Sequence, residues 1–186
     1  MNQNKRPAEQ QMRQIKRDES GQLTIGSHIA AELAERFGTP LYVYSGDGFV
    51  AHYAAFASAV SELDCVVHYA VKANSSLGVL SLLAQQGAGA DIVSGGEMKR
   101  ALTSGIAPDK IVFSGVGKTD DEIRAALQAG IGQINAESST ELDHISQIAE
   151  DIGRQAPVAL RVNVNVDPGS HSKISTGQRS TKFGIP

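Results

Sequence analysis

Lys72 is the first residue whose type and setting suggest covalent chemistry. It closes the segment VVHYAVK, an apolar run that reads as a buried strand over Val66–Lys72. Period-two alternation puts Val66, His68, Ala70 and Lys72 on one face. A lysine at the end of an apolar face is partly desolvated, which frees its amine for Schiff-base formation. The plainer reading is a lysine that reaches solvent from a strand end, and side-chain physics alone favours it. Asp91, in ADIVSGGE, sits early in a second strand; facing the interior, it would need a cationic partner. Ser94 or Gly95 reads as an N-cap, with Glu97 supporting the first helical turn. Glu137 and Ser138 end a further strand. Arg161 interrupts VALRVNVNV, and a buried guanidinium requires a carboxylate, a phosphate or an aromatic face. After it comes a long polar loop, DPGSHSKISTGQRSTKFG. There His171, Lys173, Ser175, Thr176 and Lys182 could bind anions, although an ordinary mobile loop explains them equally well. Cys65 has no partner cysteine, and packing is its expected role.

These residues must be positioned by a regular alternation of elements. Expected strands are Val66–Lys72, Ala90–Val93, Lys110–Phe113, Gly132–Ala136 and Val158–Val166. Helices are expected between them at Leu77–Gln86, Glu97–Ser104, Asp120–Ala129 and Thr140–Ile152. Gly87, Gly105, Gly130 and Gly153 stand at the helix ends. Short links between alternating strands and helices imply parallel strands with right-handed crossovers. The choice is then between a doubly wound sheet and a (β/α)8 barrel. Neither GxGxxG nor GxxxxGK[ST] follows any strand, which favours the barrel. Only about five strand–helix units fit, so a barrel that needs eight looks cut short at Pro186. Ahead of these units, Ile29, Leu33 and Phe37 give Ser27–Phe37 an apolar helical face. Gly38 and Pro40 end that helix, Leu41–Tyr44 (LYVY) reads as a strand, and Gly46–Gly48 as a turn before a helix running to about Ser61. Residues 1–22 read as a flexible tail, 23–46 as a helix and strand of their own, and 47–186 as the barrel units.

Composition narrows the function. The 186 residues carry 17 Lys+Arg and 20 Asp+Glu, a formal net charge of −3, which argues against a dedicated nucleic-acid binder. No run of about 18 apolar residues suggests a membrane span. One cysteine builds neither a disulfide framework nor a thiolate metal site, and no metal is expected. The first residues lack the apolar core of a secretory signal, so a cytoplasmic setting is expected.

HYAVKAN resembles the lysine-bearing strand of the fold-type III decarboxylases that use pyridoxal 5′-phosphate (PLP). These pair an alanine-racemase-like barrel with a separate β domain. The resemblance continues through GAGADIVSGGEMKRAL, KIVFSGVGKTDDEIRAAL, INAESSTELDHI and LRVNVNVD, and covers roughly Leu23–Pro186. HSKISTGQRSTKFGIP looks like the signature of the diaminopimelate-decarboxylating branch. The resemblance implies a partial TIM barrel with PLP held on Lys72. Asp91, Glu97 and Arg161 would lie around the cofactor, and His171 in a loop near its mouth. It implies decarboxylation of meso-2,6-diaminopimelate to L-lysine by a homodimer with shared active sites. It assigns Leu41–Tyr44 to the β domain. The phosphate loop, the partner of the pyridine nitrogen and the substrate-distal residues would lie beyond Pro186, so these 186 residues alone are expected to be poorly soluble and inactive. Alternatives are a decarboxylase of another basic amino acid, a non-catalytic PLP-binding barrel and an unrelated phosphate-binding barrel.

Overall fold

The computed structural model describes residues 14–166 and 184–185. The expectations for residues 1–13 and for His171, Lys173, Ser175, Thr176 and Lys182 lie outside the described residues. The chain divides into two compact units, residues 1–65 and 66–186.

The first unit holds an antiparallel meander of β1 (Ile15–Arg17), β2 (Leu23–Ile25) and β3 (His28–Ile29), in that order. Ile15 pairs with Ile25, and Thr24 with Ile29. The stretch 14–22, expected as a tail, is therefore a strand and a turn. The turn is made by Asp18, whose Oδ1 accepts hydrogen bonds from Ser20 N at 2.9 Å, Ser20 Oγ at 2.7 Å and Gln22 N at 2.9 Å. Such a carboxylate replaces ladder partners at a chain reversal. Helix α1 (Ala30–Phe37) starts three residues later than Ser27, because His28 and Ile29 are taken by pairing with β2. Residues 41–44 form no strand. No described segment pairs with them, and Leu41, Tyr42 and Tyr44 are exposed. Helix α2 (Gly46–Ala59) begins where a turn was expected, since the Ser45 hydroxyl caps it by accepting from Gly48 N at 3.2 Å.

The second unit is a parallel sheet of five strands: β4 (His68–Ala70), β5 (Gly89–Ile92), β6 (Ile111–Phe113), β7 (Gln133–Ala136) and β8 (Val158–Leu160). They are joined by α3 (Leu77–Gln85), α4 (Gly95–Thr103), α5 (Asp120–Ala129) and α6 (Ser139–Asp151). The strands lie side by side in chain order, with no reversal. A doubly wound sheet reverses its order at a switch point, whereas sequential addition is the wrapping of a barrel.

Alternation gives the sheet two unlike faces. Ala90, Ile92, Ile111, Phe113, Ile134 and Ala136 are fully buried beneath the helices, where they meet Leu80, Ile123 and Ile145. Burying each large apolar side chain contributes roughly 1.5–3 kcal/mol. The register pairs Ala70 with Asp91, Asp91 with Val112 and Val112 with Gln133, so these residues line the other face. Gly89 must be small: a Cβ there would lie 2.5 Å from His68 Cδ2 and 2.6 Å from the Lys110 carbonyl oxygen.

Helices α4, α5 and α6 start alike. Ser94, Thr119 and Ser138 cap them by accepting from the N–H groups of Glu97, Glu122 and Glu141. Glu122 Oε1 also accepts from Gly95 N at 2.7 Å, and Oε2 from Thr119 N at 3.0 Å. The Gly95 N–H, and after it the Thr119 N–H, hold the Glu122 carboxyl below its ordinary value of 4.5. Its contribution to stability is therefore complete above the unfolded value and is lost as pH falls through the lower folded value. Thermal unfolding of the intact protein and of Glu122→Gln should show a lower Tm for the variant at pH 7. The gap should close on acidification below about 4.5; a gap that does not change with pH would show that the ionised carboxylate contributes nothing.

Candidate active site

The carboxyl ends of the five strands collect the polar residues. Strand β4 is shorter than expected and passes at Val71 into a 3-10 turn, Val71–Ala73. Val71 is fully buried and anchors this turn. Lys72 is carried on the turn, outside the strand's alternation, and is exposed instead of partly desolvated. Its amine has no hydrogen-bond or ion-pair partner among the described residues.

Asn74 follows immediately. Its Oδ1 accepts from Ser76 N at 3.0 Å, and its backbone carbonyl accepts from Tyr69 Oη at 3.3 Å. Its Nδ2 is buried with no partner. An unsatisfied buried donor costs about 1–3 kcal/mol and calls for an acceptor.

Asp91 lies one strand over, paired in register with Ala70. Its partner is a hydroxyl instead of a cation: Ser114 Oγ donates to Oδ1 at 2.6 Å. Ser114 Oγ accepts in turn from Asn135 Nδ2 at 3.0 Å, and Asn135 Oδ1 from Gln133 Nε2 at 2.7 Å. Glu97 does not join this group. Its Oε2 accepts from Val93 N at 2.7 Å, which is a helix-start role.

Arg161 sits past β8, with three strands between it and β4. It finds the carboxylate that its position required. Its Nη1 lies 2.9 Å from Glu137 Oε1 and 3.1 Å from Oε2. Glu137 is buried, with 4% of its side chain exposed against 38% for Arg161. Its oxygens also accept from Gly115 N at 3.3 Å and Gly184 N at 3.2 Å. Close by, Lys118 Nζ, fully buried, donates to the carbonyl oxygens of Gly115 at 2.7 Å and Asn135 at 2.8 Å and to Glu141 Oε1 at 2.7 Å. Glu141 Oε2 accepts from Glu137 N at 2.6 Å.

The strand ends thus separate two groups. Lys72, Asn74 and Asp91 hold an unpartnered amine, an unpartnered buried amide and a carboxylate with one fixed oxygen. Arg161, Glu137, Lys118 and Glu141 hold each other. Sequence reasoning missed Asn74, Ser114, Lys118, Gln133 and Asn135. The period-two run Gln133, Asn135, Glu137 was a readable signal of a polar sheet face.

An amine open to add to an aldehyde, on a turn that also carries an unsatisfied donor at its end, fits PLP. Comparison with known proteins agrees. Residues 47–186 match the family model described as pyridoxal-dependent decarboxylase, pyridoxal binding domain. The chain belongs to this family. It is 52% identical over 155 residues to the diaminopimelate decarboxylase of Pseudomonas aeruginosa, covering 83% of this chain and 37% of that protein. The crystal structure of the M. jannaschii diaminopimelate decarboxylase superposes with a TM-score of 0.84 at 41% identity, covering 92% of this chain and 41% of the other. The Helicobacter pylori enzyme complexed with L-lysine gives 0.80 at 44% identity, covering 83% and 39%. The chain thus spans about 40% of the length of the relatives it matches.

Glu137→Gln should destabilise the intact protein by about 1–3 kcal/mol in urea unfolding. The loss falls at or below the lower end of the range for a broken buried pair, because the partly exposed Arg161 rehydrates. An unchanged midpoint would show that the carboxylate charge holds nothing there.

Proposed function

We propose that this chain forms the pyridoxal-binding domain of a decarboxylase that converts meso-diaminopimelate to L-lysine and carbon dioxide. The carrying observation is the Lys72 amine, without a partner among the described residues, on a turn at a barrel strand's carboxyl end that is closed by Asn74, whose buried Nδ2 is unsatisfied. The similarity to diaminopimelate decarboxylases supports the substrate.

When bound, PLP supplies an electron sink for the electron pair left on carbon as carbon dioxide departs. Lys72 Nζ holds the cofactor. When not bonded to the cofactor, the same nitrogen would be available to move a proton to or from the substrate. Asn74 Nδ2 donates to an acceptor on the bound group. Asp91 supplies negative charge one strand from the lysine turn. Arg161, paired with Glu137, would offer the exposed part of its guanidinium from past the end of β8. The diaminopimelate substrate and the homodimer follow the family resemblance, and the cytoplasmic setting follows the lack of an apolar signal core in the first residues. No helix among the described residues is long and apolar enough to cross a membrane.

Borohydride reduction of the PLP-loaded intact protein should fix the cofactor on Lys72, located by peptide mass. Lys72→Ala should lose that label and about a thousandfold or more in turnover. Release of L-lysine from meso-diaminopimelate, with no product from ornithine or arginine, separates this reading from a decarboxylase of another basic amino acid. Labelling without any decarboxylation would point to a non-catalytic PLP-binding barrel, and labelling elsewhere would overturn the assignment of Lys72.

A further inference from the structure

Four polar side chains on three neighbouring strands, or just past their ends, form a chain of hydrogen bonds with one direction. Gln133 Nε2 donates to Asn135 Oδ1, Asn135 Nδ2 to Ser114 Oγ, and Ser114 Oγ to Asp91 Oδ1, at 2.7, 3.0 and 2.6 Å. A hydroxyl has one proton. Because Asn135 donates to the Ser114 oxygen, that proton is left for Asp91. Hydrogen bonds aligned this way polarise one another, and the acceptor at the end is a carboxylate.

The two middle members of the chain have fixed backbones. The Asn135 backbone is held in register with Ala159, and its carbonyl oxygen accepts from the buried Lys118 Nζ at 2.8 Å. Ser114 N donates to the Ile92 carbonyl oxygen at 2.8 Å, which locks the hydroxyl's own backbone to the strand that carries Asp91. Asp91 has no other partner among the described residues. Its Oδ2 stays available while Oδ1 is fixed.

We infer that Ser114 and Asn135 are positioning residues, which set the orientation of the Asp91 carboxylate toward the cofactor held on Lys72. The inference rests on the PLP-binding reading above. Ser114 acts on Asp91 directly, and Asn135 acts by orienting the Ser114 proton. Neither needs to touch cofactor or substrate.

The test uses the intact, PLP-loaded protein and reads the visible circular dichroism of the bound cofactor, its retention on dialysis and borohydride labelling of Lys72. Ser114→Ala should still be labelled at Lys72. It should lose at least half of the visible dichroism and retain PLP about tenfold less tightly, the loss expected for one hydrogen bond to a charged group. Ser114→Thr, which keeps the hydroxyl, should restore both. Asn135→Ala should show the same change in smaller degree, and it decides the matter if Ser114→Ala does not fold. Dichroism and retention equal to the parent's in the folded variants would overturn the inference and leave the PLP reading standing. Failure of the parent protein to bind PLP on Lys72 would overturn both.

Discussion

The Lys118 ammonium is the interaction on which the carboxyl end of the sheet depends. Its side chain is fully buried, and its N–H donors meet the Gly115 and Asn135 carbonyl oxygens and Glu141 Oε1. Removing an ammonium from water costs several kcal/mol, and only a near-complete set of acceptors offsets this. The consequence is order in two successive strand–helix units, β6–α5 and β7–α6. Gly115 belongs to the loop after β6, Asn135 to β7 and Glu141 to the first turn of α6. Glu141 passes the constraint on through its second oxygen to the Glu137 backbone, and Glu137 holds Arg161, Gly115 and Gly184. One buried cation thereby fixes both the ion pair beside β8 and the backbone of the residue that orients Ser114.

The three helix starts serve the same end by a cheaper route. Each has the spacing Ser/Thr-x-x-Glu, and each cap hydroxyl accepts from the N–H of that glutamate. A cap of this kind is worth about 1 kcal/mol. The glutamates then diverge. Glu122 returns to its own cap residue, Thr119, and also reaches Gly95 at the start of the previous helix. Glu97 and Glu141 reach back four residues, to Val93 N and Glu137 N, where the strands end. The carboxylates tie strand to helix or one helix start to the next, which keeps the βα loops short and the site on rigid elements.

Much of this was legible in the sequence, at the level of elements. Every barrel strand and helix was located, because apolar blocks and helix-end glycines mark them directly, but the last strand, expected over Val158–Val166, ends at Leu160, so Arg161 lies past it and not within it. The signal failed where structure depends on a partner. LYVY has strand composition, yet Leu41–Tyr44 meets no described strand. Gln14–Gln22 looks like a solvated tail, yet its Ile15 pairs with Ile25. Lys72 was found by residue type and motif, but the 3-10 turn that exposes it was not, because apolar VVHYAVK carries no turn residue. Arg161 was correctly expected to need an anion. Glu137 could not be singled out as that anion without the adjacency of β7 and β8. Ser114 and Asn135 were invisible for a related reason. Each is a small polar residue of no special type, and its role exists only once parallel register sets three strands side by side.

The division between satisfied and unsatisfied groups gives the strongest physical argument for where chemistry occurs. Toward β8, Lys118 is paired with Glu141 and Arg161 with Glu137, and the Glu141 and Glu137 oxygens also accept backbone N–H groups. At the Lys72 turn, the exposed amine and the buried Asn74 amide nitrogen have no partner among the described residues. The buried amide lowers the stability of the chain by itself, since folding would favour a partner for it, whereas the exposed Lys72 amine is solvated and carries no such cost. A protein keeps such groups unpaired where a bound molecule supplies the partner. An acceptor on a bound molecule would satisfy the buried Asn74 nitrogen, and the Lys72 amine stands open to solvent on the turn that Asn74 ends.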